Sequence, residues 1–158
     1  MKYRTDVTRK IPSRFISEVY FPAIVELSSE ELNNRFIVFH FEDTDLMELT
    51  VHRDTNELKR LSLTLCKHYE IVDEELSVPS CEEGTFFIDE SDSSKCSFFL
   101  SKVFLDGLQI IISDSPTDHF FKTGQLFFGL SADDELTNIL ITDLSPQEVD
   151  HIKTEFSF

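Results

Sequence analysis

Apolar and polar residues alternate with a period of two along much of the chain, the pattern of strands that bury one face. It is clearest in Leu61-Ser62-Leu63-Thr64-Leu65, where the leucines share one face and Ser62 and Thr64 the other. Leu46-Met47-Glu48-Leu49-Thr50-Val51 alternates from Leu49 onward, and Asp54 to Asn56 tolerate tight turns, so a β-hairpin is predicted over 46–65. Strand composition recurs at Phe36–Phe41, Thr85–Ile88, Gln125–Phe128 and Ile139–Ile141. Cys96–Leu100 and Gly107–Ile112 read as a further hairpin turning at Asp106-Gly107, with Pro116 and the His119 beside Asp118 in a loop.

The carboxy-terminal end switches to a helical period. Ser145-Pro146-Gln147-Glu148 places a cap residue, a proline in the first turn and a glutamate three positions after the cap, all suited to the unpaired amides of a helix start. Val149, Ile152 and Phe156 follow on one face, opposite Asp150, Lys153 and Glu155. The first 35 residues read less clearly. Between Pro12 and Pro22 the apolar positions 15, 16, 19 and 20 fit helical spacing, while the residue types suit a strand equally. Ser28 and Glu31 have capping-box spacing, which predicts a short helical turn.

One internal similarity is present. VHRDTNELKRLSLTL, residues 51–65, aligns with GLSADDELTNILITD, residues 129–143; each has a polar turn, then Glu-Leu, then alternating apolar positions. We read two similar hairpins rather than a duplicated domain. The expected fold class is therefore α+β: a predominantly antiparallel β-sheet of hairpins or meanders, with a C-terminal amphipathic helix packed on one face. A single domain over 1–158 is expected from the length, 158 residues, and from only 4 Gly and 5 Pro, too few for a linker-rich chain.

Charge changes the picture more than composition does. The formal net charge of −16 is unevenly spread: residues 1–69 carry 10 Lys/Arg against 11 Asp/Glu, net −1, and residues 70–158 carry 4 against 19, net −15. Such a field repels nucleic-acid phosphate and anionic lipid, and it steers a basic partner. The densest stretch, Glu70 to Ser94, holds no Lys or Arg. Its carboxylates Asp73, Glu74, Glu75, Glu82, Glu83, Asp89, Glu90 and Asp92 are the candidate partner-binding residues. A solvated acidic face that merely keeps the protein in solution is the competing reading.

The remaining chemistry is thin. No apolar run approaches the roughly 20 residues of a membrane span, and the charged start, Met1 to Lys10, is unlike a secretory signal, so a cytoplasmic location is expected. Cys66, Cys81 and Cys96 form no C-x-x-C pair and suit reduced thiols; Cys66 sits within a strand pattern, and a Cys81–Cys96 disulfide stays open. His40 with Glu42, and His68 with Glu70, would share strand faces and could in principle form an acid–base or metal pair. The five histidines show no zinc-site spacing, Asp43-Thr44-Asp45 and Asp133-Asp134-Glu135 do not continue into a calcium loop, and phosphate-cradling and nucleophile-elbow motifs are missing. We therefore expect no metal, no cofactor and no enzyme.

Two stretches carry a family likeness: Phe127-Phe128-Gly129 followed by Asp134-Glu135-Leu136-Thr137-Asn138-Ile139-Leu140-Ile141-Thr142-Asp143-Leu144-Ser145-Pro146-Gln147-Glu148-Val149, and Leu49-Thr50-Val51 followed by Asn56-Glu57-Leu58-Lys59-Arg60-Leu61-Ser62-Leu63. These hairpin-then-helix patterns resemble small immunity proteins of bacterial toxin delivery systems, including contact-dependent growth inhibition. The resemblance covers roughly a third of the chain, and its motifs are structural rather than catalytic. It implies a stoichiometric inhibitor in the producing cell's cytosol that binds one cognate toxin domain, often a basic nuclease. The rival readings are an acidic adaptor or regulatory subunit for another basic protein, and a small enzyme built on a His/carboxylate pair.

Overall fold

The computed structural model describes residues 3–7, 10–28, 33–89 and 94–158. Among them the chain is α+β, with mostly antiparallel strands in two sheets and one carboxy-terminal helix. The amino-terminal part gives β1 (Tyr3–Val7), β2 (Arg14–Glu18), β3 (Phe21–Glu26), β4 (Asn34–Phe41), β5 (Asp45–His52), β6 (Leu58–Leu65) and β7 (Tyr69–Ile71). The rest gives β8 (Glu82–Ile88), β9 (Ser94–Lys95), β10 (Leu100–Val103), β11 (Leu108–Ile111), β12 (His119–Thr123), β13 (Leu126–Leu130), β14 (Leu136–Ile141) and α1 (Pro146–Phe156).

A six-stranded sheet runs in the order β2-β3-β6-β5-β4-β9 and an eight-stranded sheet in the order β1-β8-β12-β13-β14-β11-β10-β7. The pairings β4/β9, β8/β12 and β7/β10 are parallel and the others antiparallel. Sequence charge maps onto this division. Five of the six strands in the first sheet come from the near-neutral half, and six of the eight in the second from the acidic half. The inward faces of both sheets meet in one core, where Met47, Leu49, Leu61 and Leu63 from the first join Phe86, Phe128, Ile110 and Ile139 from the second. The Phe86 and Phe128 rings stack at 4.3 Å between centroids, with Tyr3 at 5.3 Å on the Phe86 ring.

The predicted helix start is realised in full. Ser145 accepts from the Glu148 amide, the Glu148 carboxylate accepts from the Ser145 amide, and Pro146 stands in the first turn. Val149, Ile152 and Phe156 enter the core. The helix packs along β3 with further contacts to β2 and β10, so it bridges the two sheets. His151 Nε2 donates to the Phe21 carbonyl at 2.9 Å and Phe156 meets Tyr69 at 4.9 Å.

Both predicted hairpins of the internal similarity form, β5–β6 in one sheet and β13–β14 in the other. The likeness extends to the backbone: aligned residues Asn56 (φ 66°) and Asp134 (φ 58°) are both left-handed, and each hairpin carries a register shift just before its turn. Asn and Asp are the residues that enter this region most readily after Gly.

Of the two readings left open for the segment between Pro12 and Pro22, the strand is the one formed, over residues 14–18, and Pro22 lies inside β3. The proline is tolerated because it sits beside the irregularity between Ile16 and Glu18, and β3 pairs with β6 only from Ala23 onward. Cys96–Phe99 is irregular, with strand structure starting at Leu100. His119 opens β12 instead of lying in a loop. The polar edge strand β1 has four exposed positions of five, so it shows no alternation to read. The helical turn expected at Ser28–Glu31 falls largely outside the described residues.

Candidate docking groove

The acidic stretch becomes a structural element through its route. From β7, at one edge of the eight-stranded sheet, residues 72–81 cross to β8 near the other edge. The crossing buries Leu76 with Phe127 and Leu140, and packs Cys81, Phe104 and Phe120 around them, on the face turned away from the main core. With one face against the core and the other under this cover, β13 and β14 are buried at every position. That is why Leu126-Phe127-Phe128 and Ile139-Leu140-Ile141 are unbroken apolar runs.

The crossing is stitched at the β10–β11 turn. Val72 N–H donates to the Val103 carbonyl at 2.8 Å, Leu105 N–H to the Glu74 carbonyl at 2.9 Å, and Leu76 N–H to Asp106 Oδ1 at 2.8 Å. Gly107 permits the close approach, since a Cβ there would stand 2.6 Å from Leu76 Cδ2 and 2.7 Å from the Ile141 carbonyl oxygen.

Beside the crossing lies a groove of about 440 Å³, floored by Phe104, Phe120, Leu140 and Gln109 and walled by Glu74 to Pro79. Glu74 and Glu75 are exposed on its rim, next to Val78, itself 52% exposed, and Asp73, which precedes them, is exposed as well. An apolar floor with a carboxylate rim can desolvate an aliphatic or aromatic anchor while pairing cations around it.

The candidate acids do not act as one group. Glu82 is exposed and Glu83 half-buried at the start of β8, in register with Phe121 and Lys122 of β12. Glu83 Oε2 is buried with no hydrogen-bond partner among the described residues. Asp89, at the far end of β8 and roughly 20 Å along the strand, is occupied structurally. It takes an ion pair from Arg4 at 2.8 Å and a hydrogen bond from Asn56 Nδ2 at 3.1 Å, tying β1 to the β5–β6 turn. Glu90 and Asp92 lie outside the described residues. Sequence reading missed the aromatic floor and Lys122 because β12 was not recognised; the signal was Gly124 (φ 60°) between two Phe-containing stretches.

The histidine pairs proposed from strand spacing do not form. Glu42 lies in the turn after β4 with φ 49°, which removes it from the face of His40. His68 precedes β7 and meets Asp45 instead of Glu70, Nδ1 to Oδ2 at 2.6 Å. Asp45 is fully buried and also accepts from Thr44 Oγ1, Lys67 N–H and His68 N–H. His52 Nδ1 accepts from the amides of Asp54 and Thr55, a turn-stabilising role. His119 pairs with exposed Asp118 at 3.0 Å.

All three cysteines are free thiols, so the Cys81–Cys96 bridge is not made. Burial pushes Cys66 up to about 12 and Cys96 up to about 11, and burial also raises Cys81. Cys66 Sγ lies within hydrogen-bond distance of the His68 carbonyl and of Ser101 Oγ rather than of an imidazole nitrogen, which is no nucleophile geometry. Among the described residues no cluster of three or more His, Cys, Asp or Glu could hold a metal ion, and no helix is long and apolar enough to cross a membrane.

Compared with known proteins, the chain matches no family model and no curated protein.

Proposed function

We propose that this chain is a toxin-neutralising immunity protein of the cytoplasm, which binds a basic, nuclease-type toxin domain through its acidic sheet and blocks it. The observation that carries the reading is the coincidence of Glu74 and Glu75 with the apolar groove floored by Phe104 and Phe120. Carboxylates alone would fit a solvated face. Carboxylates around a concave apolar floor also supply the desolvated centre that affinity needs. A toxin that holds phosphate presents Lys and Arg, and their guanidinium and ammonium groups can meet the rim while their stems lie on the aromatic floor.

The acidic adaptor is the second reading, favoured by the same groove. The small-enzyme reading loses its support with the dispersal of the histidines and the protonated state of the thiols at neutral pH. The test is affinity capture from producing cells at low salt, followed by a titration of the captured protein's activity. Capture of a basic polypeptide, released as salt rises and silenced at one equivalent of this chain, is the expected result. A captured partner that is acidic or neutral, or whose activity is unaffected by a stoichiometric excess, contradicts the proposal and leaves the adaptor reading.

A further inference from the structure

The outward face of the six-stranded sheet, on the other side of the molecule from the acidic groove, holds a second concavity of about 520 Å³. That volume lies within the range of small-molecule sites, about 300–1,000 Å³. Register builds it from two cross-strand rows: Phe36–Thr50–Arg60–Glu26, and Glu48–Ser62 beside it. Thr64 and Leu46 close one end and Phe21 another.

Its polar groups are unevenly satisfied. Glu26 is paired with Arg14 at 3.0 Å, and Lys59 and Asn34 are engaged. The Arg60 Nε–H is buried and meets no acceptor among the described residues. A buried donor of this kind costs free energy unless something in the cavity accepts from it. Glu48, half-buried two positions along the neighbouring strand, brings one negative charge to the same space. The open charges therefore cancel, and Thr50, Ser62 and Thr64 place neutral hydroxyls among them. At the rim Phe36 is 56% exposed, an aromatic face without a cover.

We infer that this cavity binds a neutral polyhydroxylated ligand, a mono- or disaccharide. Vicinal hydroxyls both donate and accept, so one pair can be bridged by the Glu48 carboxylate and another by the Arg60 guanidinium. The serine and threonine hydroxyls match further sugar hydroxyls in either sense. The C–H face of a pyranose ring suits the exposed Phe36 ring. A phosphate or polyanion is opposed by Glu48, and a zwitterion would leave the row of hydroxyls and the Phe36 face unmatched. The inference does not depend on the toxin reading, since no residue is shared with the acidic groove.

The test is an amide chemical-shift titration of the full chain with glucose, galactose, N-acetylglucosamine and cellobiose, with glycine betaine and inorganic phosphate as counter-probes. At least one sugar is expected to shift the amides of Phe36, Glu48, Arg60 and Ser62 saturably. Glu48→Gln should weaken that binding about tenfold, the scale of losing a charge-assisted hydrogen bond, and Phe36→Ala should weaken it through the lost ring contact. Asp133→Asn, in the exposed turn between β13 and β14, should leave it unchanged and shows that folding and handling are intact. If no sugar of the panel shifts these residues at high molar excess, the inference is overturned. Equal or stronger shifts from betaine or phosphate overturn it as well.

Discussion

At the scale of single residues, the strongest commitment in the chain is a buried carboxylate. Asp45 is fully buried and satisfied by four donors from Thr44, Lys67 and His68, holding the start of β5 against the segment that leads into β7. Asp45→Ala should cost about 3 kcal/mol, because it removes four part-buried hydrogen bonds at once; equilibrium urea unfolding gives the number. The thiols make a second prediction. With Cys66 raised to about 12 and Cys96 to about 11, both stay protonated at pH 8. A thiol reagent at that pH should leave them unmodified in the folded protein and label them once denaturant is added. Labelling of Cys66 in the native state would revive a nucleophilic role. Little of this was legible in the sequence. Asp43-Thr44-Asp45 invites a calcium reading and His68 a pairing with nearby Glu70, whereas the actual partners are 23 positions apart and are joined only by sheet pairing.

At the scale of elements, legibility followed how local the cause was. The helix start was readable because Ser145, Pro146 and Glu148 act on each other within one turn, and the two hairpins because turn chemistry and alternation agree over about 15 residues. Ser145→Ala should therefore destabilise by about 1 kcal/mol in thermal or denaturant unfolding. The hairpins separate local from tertiary roles. Asp134 and Asn56 share a left-handed turn position, but the Asn56 side chain also accepts from Arg35 at 2.8 Å and donates to Asp89. Asp134→Gly should change stability by less than about 0.5 kcal/mol, since exposed surface positions usually do. Asn56→Gly should cost about 1–2 kcal/mol through the two lost hydrogen bonds. Equal effects from the two substitutions would show that the Arg35–Asn56–Asp89 contacts contribute nothing. Strands β1 and β12 were missed for a different reason. One is a polar edge whose pairing is dictated by β8, and the other takes its place from β8 and β13 on either side.

At the scale of the whole molecule, the uneven charge of the chain becomes an uneven surface, because the near-neutral half builds most of one sheet and the acidic half most of the other. The charge asymmetry was plain in the sequence, but its geometry was not. Strand order joins β1 to β8 and β7 to β10, pairings set by long-range contacts. The crossing at 72–81 turns part of the acidic stretch into a groove wall, with Leu76 as its anchor, while Asp89 at the other end of β8 is spent on Arg4. The proposal thus narrows the functional acids to Glu74 and Glu75, with Asp73 preceding them in the chain. The most direct measurement is a parallel low-salt capture from producing cells with the native chain and with the Glu74→Lys/Glu75→Lys variant, both confirmed folded by circular dichroism. We expect the native chain to retain a basic protein that the variant loses, and Asp89→Asn to retain it as the native chain does. The same protein held equally by the native chain and the Glu74→Lys/Glu75→Lys variant would contradict the account and reduce the acidic groove to a solvated surface.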